Sequence, residues 1–355
     1  MIGVLMFIVA LLLLLLGFPV AFTFGGVAVI FGVLAEGWGL FAFMPFRIYS
    51  IMQNTVLMAV PLFIFMGIVL QKTHLAEQLL ESMGRLFGEM RGGLAVSTIL
   101  VGALLAASTG VVGASVVAMG VISLPVMLKY GYNRALACGA ICAAGTLGQI
   151  IPPSIVLIIL GDVLGLPVGD LFKAAAIPGL VLVGLYVVYV MILSLVTPDH
   201  APPIPFENAD STTLRRYMEA LRAVLPPLLL IIVVLGSIFA GIATPTESSA
   251  LGGLGAVLLA LLYRKFSWRM LYQSALETVR ITAMVFAILL GATAYSLAFT
   301  STGGDVVVEQ FLLQLPGDKW GFLIFSMTII LLLGFIIDFD EISFIVVPIL
   351  APIAE

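Results

Sequence analysis

Two short runs of helix-breaking residues lie inside segments otherwise apolar enough to sit in a bilayer, and they restrict what this chain can fold into. The first is Ser108, Thr109, Gly110, Val111, Val112, Gly113, Ala114 and Ser115; the second is GTLGQIIPPS, residues 145–154. Glycine and proline weaken or break helices. Backbone freed at membrane depth has no water to bond, so it must be buried in protein or line a wet cavity. An interrupted hydrophobic segment of this kind is the best sequence pointer to a transport site, which places the site within residues 107–154.

The surrounding chain fits a polytopic membrane protein. Hydrophobic residues make up 62% of it and charged residues only 10%, against roughly 25% charged in an average soluble domain. A span needs about 20 apolar residues, fewer where a site lies mid-membrane. The segments that qualify or nearly do are 2–16, 20–35, 48–70, 93–110, 112–128, 134–160, 174–197, 223–243, 247–263, 278–299, 321–337 and 342–353. The fold class expected is therefore all-α. The first 16 residues lack a basic flank and a small-residue cleavage site, so they read as a retained helix. The net charge of -4, without a Lys/Arg-rich run, points away from nucleic acid. Cys138 and Cys142 stand four apart in one apolar segment and are expected to be buried, unpaired thiols.

Lys and Arg accumulate in cytoplasmic loops. Four segments are basic, carrying Lys72, Arg85 and Arg91; Lys129 and Arg134; Arg215, Arg216 and Arg222; and Arg264, Lys265, Arg269 and Arg280. Two are acidic: Asp162 and Asp170 beside Lys173, and Asp305, Glu309 and Asp318 beside Lys319. If 93–128 is a re-entrant hairpin, all four basic segments fall inside, both acidic ones outside, and Met1 outside. The amphipathic stretch 73–90 then lies along the cytoplasmic surface.

The halves resemble one another at a steady offset of 223 to 226 residues, seen in Pro19 and Pro245, Gly67 and Gly291, and Pro125 and Pro348. By loop charge the first copy begins outside and the second inside, so the repeats are inverted. The expected division is a first repeat over 1–197, a proline-rich cytoplasmic linker over 198–222, and a second repeat over 223–355 whose hairpin is 321–353. The counterpart of 145–154 would fall past Glu355, so the chain is expected to be C-terminally truncated.

In the first run, Ser108, Thr109 and Ser115 supply hydroxyl oxygens, while Gly110 and Gly113 let backbone approach closely. Pro152 and Pro153 cannot donate, so the carbonyls of Gly148 and Gln149 lose their helical partners. Such carbonyls suit a hard cation such as sodium, and half-helix N-termini suit a carboxylate; the alternative is that these residues only allow close packing and a kink. Asp338, Asp340 and Glu341 form an acidic cluster between long apolar runs, with Asp338 a candidate intramembrane ligand or proton carrier, or else a solvent-exposed tip. Glu247 reads as a helix cap, and Gln53 and Asn54 as interfacial polar groups. His74 and His200 both lie in loops, and no G-x-x-x-x-G-K-[ST] motif occurs, which argues against an enzyme.

These residues resemble the DctM-like family, the large membrane subunit of tripartite ATP-independent periplasmic (TRAP) transporters. The resemblance runs through GFPVAF at Gly17, STGVVGAS, LPVMLKYGY, GTLGQIIPPS, KAAAIPG at Lys173, GIATPTES at Gly241 and DFDEISFIVVPILAPI at Asp338. It implies an elevator-type, sodium-coupled symporter of an organic acid anion in the bacterial inner membrane. It further implies a periplasmic binding protein that delivers the anion, a small four-helix membrane subunit alongside, and no cofactor beyond the coupling ion. The site residues it implies are Ser108, Thr109, Gly113, Ser115, Gly145, Thr146, Pro152, Pro153 and Ser154, with Asp338 from the second hairpin. The family's hairpin tip is richer in serine than this one, and the family continues into a second Thr-Pro-Pro interruption. A channel, or a membrane interaction subunit without transport of its own, are the other classes such a chain could serve.

Overall fold

The computed structural model describes residues 2–73, 75–87, 90–109, 112–203, 213–314, 316, 318–335, 337–339 and 342–354, and all regular structure among them is helical. In order these are α1 (Ile2–Leu15), α2 (Val20–Glu36), α3 (Met44–Gln53), α4 (Ala59–Lys72), α5 (Leu75–Phe87), α6 (Gly93–Thr109), α7 (Val112–Lys129) and α8 (Arg134–Thr146). There follow α9 (Ile155–Leu164), α10 (Val168–Val196), α11 (Thr213–Phe239), α12 (Pro245–Leu262), α13 (Trp268–Ser301), α14 (Gly304–Leu313), α15 (Asp318–Leu333), a π-helical turn (Ile342–Val346) and α16 (Val347–Ala354). Among the described residues four helical segments are long and apolar enough to cross a membrane, Val168–Val196, Ala220–Phe239, Pro245–Leu262 and Trp268–Ser301, and much of their aliphatic surface is exposed. The chain is an all-α polytopic membrane protein.

Two compact units are present. One comprises Met1–Leu57, Ile159–Leu166 and Arg280–Glu355; the other comprises Met58–Ile158 and Pro167–Val279. In the first, α1 meets α14 backbone to backbone, since a Cβ on Gly3 would stand 2.6 Å from the Gly304 Cα. Phe24 of α2 packs edge-on against Tyr295 of α13, with ring centroids 5.0 Å apart. Small residues at such crossings are how membrane helices gain close van der Waals contact.

In the second unit, α6 and α7 form a helical hairpin packed on α8, with Ile99, Met119, Met127 and Leu147 fully buried between them. Hydrogen bonds gather the basic segments at one end of this unit. The Leu94 N–H donates to the Tyr132 hydroxyl at 3.3 Å, so the hairpin leaves at the end where it starts. The Gly92 N–H reaches the Ala201 carbonyl at 3.0 Å and the Asn133 N–H reaches the His200 carbonyl at 2.9 Å. Tyr263 donates to the Arg222 carbonyl at 3.4 Å, and Lys72 pairs with Glu277 at 2.9 Å. Burial raises the pKa of Tyr132, which therefore stays neutral while it holds this end together.

Some expectations change. The segment 48–70 is not one helix: the Asn54 carbonyl oxygen Oδ1 accepts the Val56 N–H at 2.9 Å and the Leu57 N–H at 3.4 Å, a local turn that competes with helix. Asp162 lies on α9 rather than in a loop, and Asp170 lies in the first turn of α10, where an acid complements the helix dipole. The helix α11 begins at Thr213, inside the stretch expected to link the halves. Cys138 and Cys142 are free but exposed, because they face outward from α8 while Leu136, Ala137, Ala140 and Ile141 face the core. His74, Asp340 and Glu341 lie outside the described residues.

Replacing Tyr132 with Phe removes the acceptor of a buried N–H, which costs about 1 kcal/mol. The thermal unfolding midpoint of the purified protein should fall accordingly, and an unchanged midpoint would show that the basic end does not depend on this bond.

Candidate functional site

The second run of helix breakers does interrupt a helix. After α8 ends at Thr146 the chain makes a tight turn over Leu147–Gln149, passes through the prolines, with a cis bond between Pro152 and Pro153, and resumes as α9. The Leu147 carbonyl accepts both the Ile150 N–H at 3.1 Å and the Ile151 N–H at 2.9 Å. Ser154 is fully buried and spans the break: its hydroxyl donates to the Gln149 carbonyl at 2.6 Å and accepts the Leu157 N–H at 3.4 Å. It thus caps α9 and replaces the donor that proline withholds from Gln149. Of the two carbonyls expected to lose their helical partners, that of Gln149 takes the Ser154 hydroxyl instead, and among the described residues no backbone donor reaches that of Gly148.

The break is held against the hairpin. A Cβ on Gly145 would collide with the Val116 side chain and stand 3.0 Å from the Val116 Cα and N. A Cβ on Gly102 of α6 would stand 2.5 Å from the Ala144 Cβ. The last turn of α8 is therefore clamped between α6 and the first turn of α7, where Ser115 is buried. That contact joins the carbonyl end of α8 to the start of α7, and Ser154 ties the start of α9 to the break that follows α8. Carbonyl and hydroxyl oxygens there fit a hard cation, and free N–H groups fit an anion. Among the described residues no three His, Cys, Asp or Glu side chains converge to hold a metal, so a cation here would rely on those oxygens.

The other candidates are placed as follows. Thr146 is exposed and donates to the Ala143 carbonyl at 2.9 Å, which leaves its lone pairs outward. Gly113 is exposed with open space around it, and Pro152 and Pro153 are buried. The side chains of Ser108 and Thr109, and Gly110 entirely, lie outside the described residues. Asp338 belongs to the other unit and is exposed, its carboxylate accepting the Phe339 N–H at 2.8 Å. Glu247 forms the expected cap with Thr244: its Oε2 accepts the Thr244 N–H at 2.8 Å, and its own N–H reaches the Thr244 hydroxyl at 3.3 Å.

Sequence reading missed two contacts. Gly102 and Val116 carry the clamp, and the only signal for them was a small residue in an apolar helix. The Asn54 amide donates to the Asp162 carboxylate, a pair whose members read separately as an interfacial group and a loop acid.

A family model described as "Tripartite ATP-independent periplasmic transporter, DctM component" matches residues 7–355. The C4-dicarboxylate TRAP transporter large permease protein DctM of Pseudomonas aeruginosa is 30% identical over 312 residues, covering 88% of this chain and 71% of that protein. The ectoine/5-hydroxyectoine TRAP transporter large permease protein UehC of Ruegeria pomeroyi is 32% identical over 359 residues, 98% of this chain and 80% of its own. The isethionate TRAP transporter permease protein DctMQ of Oleidesulfovibrio alaskensis is 28% identical over 343 residues, 96% of this chain and 53% of its own.

The clamp predicts a contrast between two glycines. Gly145→Ala forces a methyl into the Val116 backbone and should destabilise by about 1–3 kcal/mol, as overpacking does. Gly113→Ala, with open space, should change the unfolding midpoint little. Equal effects in thermal unfolding of the two variants would show that the Gly145 contact is not tight.

Proposed function

The chain belongs to the DctM family of TRAP transporters, as their large permease, and we propose that it couples inward movement of an organic acid anion to sodium. The observation that carries this reading is the broken helix seated on a helical hairpin, with the Gly148 carbonyl in the break, Ser154 buried and bonded across it, and Ser115 buried in the first turn of α7 next to the Val116 that meets Gly145. In this reading the sodium ion takes oxygens from that set together with Ser108, Thr109 and Thr146, while Gly145 lets backbone come close, Gly113 leaves open space at the start of α7, and Pro152 and Pro153 keep the break open. Asp338, on the second hairpin, is proposed as a cation ligand of that hairpin. The substrate carboxylate takes N–H groups from the helix starts. Because Gly145 leaves no room against Val116, hairpin and broken helix travel as one body, which is what an elevator step requires.

The relatives carry names for C4-dicarboxylates, ectoines and isethionate, so the family accommodates more than one small polar solute. For this chain a carboxylate is proposed because unpartnered N–H groups at a helix start suit one. The proposed partners are a small four-helix membrane subunit and a periplasmic binding protein, and the proposed setting is the bacterial inner membrane. The clustering of basic segments at one end of a unit supports turning that end to the cytoplasm, which leaves the N-terminus periplasmic.

Two measurements test this. Uptake of an organic acid by the complete complex in vesicles should require an inward sodium gradient; undiminished uptake after the gradient is collapsed overturns sodium coupling. For orientation, a cysteine placed at Arg264 in a chain lacking Cys138 and Cys142 should react with an impermeant maleimide from the cytoplasmic face only.

A further inference from the structure

We propose that the turn between α12 and α13 is a binding site for the headgroup of an anionic phospholipid. Seven residues, Tyr263 to Arg269, end one apolar helix and start another, and they carry Arg264, Lys265 and Arg269, all exposed. No acidic residue occurs between positions 263 and 276. Glu277, two turns further along α13, is engaged by Lys72 at 2.9 Å. The positive charge is therefore not neutralised by a neighbour on its own helix.

The turn is built rather than loose. Arg264 takes a left-handed backbone at φ 55°, and α12 closes there with the Lys265 and Phe266 N–H groups on the Ala260 carbonyl at 2.9 and 3.1 Å. Ser267 then starts α13 by accepting the Met270 N–H at 3.1 Å. The first N–H groups of α13 have no partner within the helix, and its dipole adds positive potential where the three cations stand. Tyr263 fixes the turn to α11 through the Arg222 carbonyl, and Arg222, itself exposed, brings a fourth cation to the same place.

The aromatic residues identify the anion as a lipid headgroup rather than a free solute. Phe266 and Trp268 pack edge to face with centroids 5.6 Å apart, yet Trp268 is 78% exposed and Tyr272, one turn on, is 70% exposed. Trp and Tyr with a free face at the end of a spanning helix belong at headgroup depth, with their rings toward the acyl boundary. Cations beside them meet the phosphates of that layer, and anionic lipids draw such clusters more strongly than zwitterionic ones.

The test uses the full chain purified with its membrane subunit in neutral detergent. Added phosphatidylglycerol should raise the thermal unfolding midpoint and remain bound in native mass spectrometry, and phosphatidylcholine should do neither. R264Q/K265Q/R269Q should lose both responses. The charge-preserving R264K/K265R/R269K should keep them, as should K129Q/R134Q, which removes basic charge from the same end but not from this turn. The proposal is overturned if the triple glutamine variant responds like the unchanged protein, if K129Q/R134Q loses the response as well, or if inorganic phosphate alone reproduces the shift.

Discussion

Everything around the candidate site depends on one constraint: a backbone carbonyl released inside an apolar segment has to find a partner. Two consecutive prolines withhold the N–H groups that Gly148 and Gln149 need. Ser154 restores one bond, because its hydroxyl can donate backward to Gln149 and accept forward from Leu157 in the same rotamer. That leaves a break whose Gln149 carbonyl is satisfied within the protein, with a capped helix beyond it. A break with every carbonyl free would be too costly to keep buried, and one with none free would have nothing to offer a cation.

The clamp at Gly145 follows from the same requirement. A broken helix is mechanically weak unless something else fixes its two pieces. Here the last turn of α8 is gripped between Gly102 and Val116, at distances that exclude even a methyl group on either glycine. Close packing of this kind is discrete rather than elastic, so the hairpin and the break respond to force together. A site made of oxygens from both pieces keeps its geometry only under that condition.

Much of this was legible in the chain. The helix limits follow the apolar runs because Gly, Pro and Asn terminate them, and the interruption at 147–154 was marked by Pro152 and Pro153. The cap at Glu247 was legible for the same reason, being a local pattern with a local partner. What escaped the sequence depends on which helices are neighbours. Gly102 looks like any small residue until Ala144 is found against it, and Asp162 looks like a loop acid until α9 is seen to extend around it. The turn at Asn54 was hidden by the apolar residues Val56, Leu57 and Met58 that follow it, which make the run look continuous although the asparagine side chain has already captured the backbone. The outward-facing cysteines went the same way, because hydrophobicity alone does not say which side of a membrane helix meets protein.

Loop charge is a count, with no geometry in it, yet it anticipated a geometric fact. The four basic segments are far apart in sequence, and each alone is weak evidence of side. Bonds from Gly92, Leu94, Asn133 and Tyr263, with the Lys72–Glu277 pair, tie the parts of them that precede Arg280 into one connected end of a single unit. Like charges brought together repel, so such an end is stable only where water and anions screen it. The polar bonds between the segments are mostly made by backbone, which carries no net charge, and Arg91, Lys129, Arg134, Arg264, Lys265 and Arg269 stay exposed. The arrangement separates two tasks: main-chain groups and two tyrosines, Tyr132 and Tyr263, hold the helix ends in place, while exposed cations such as Arg264, Lys265 and Arg269 face whatever lies beyond the protein surface.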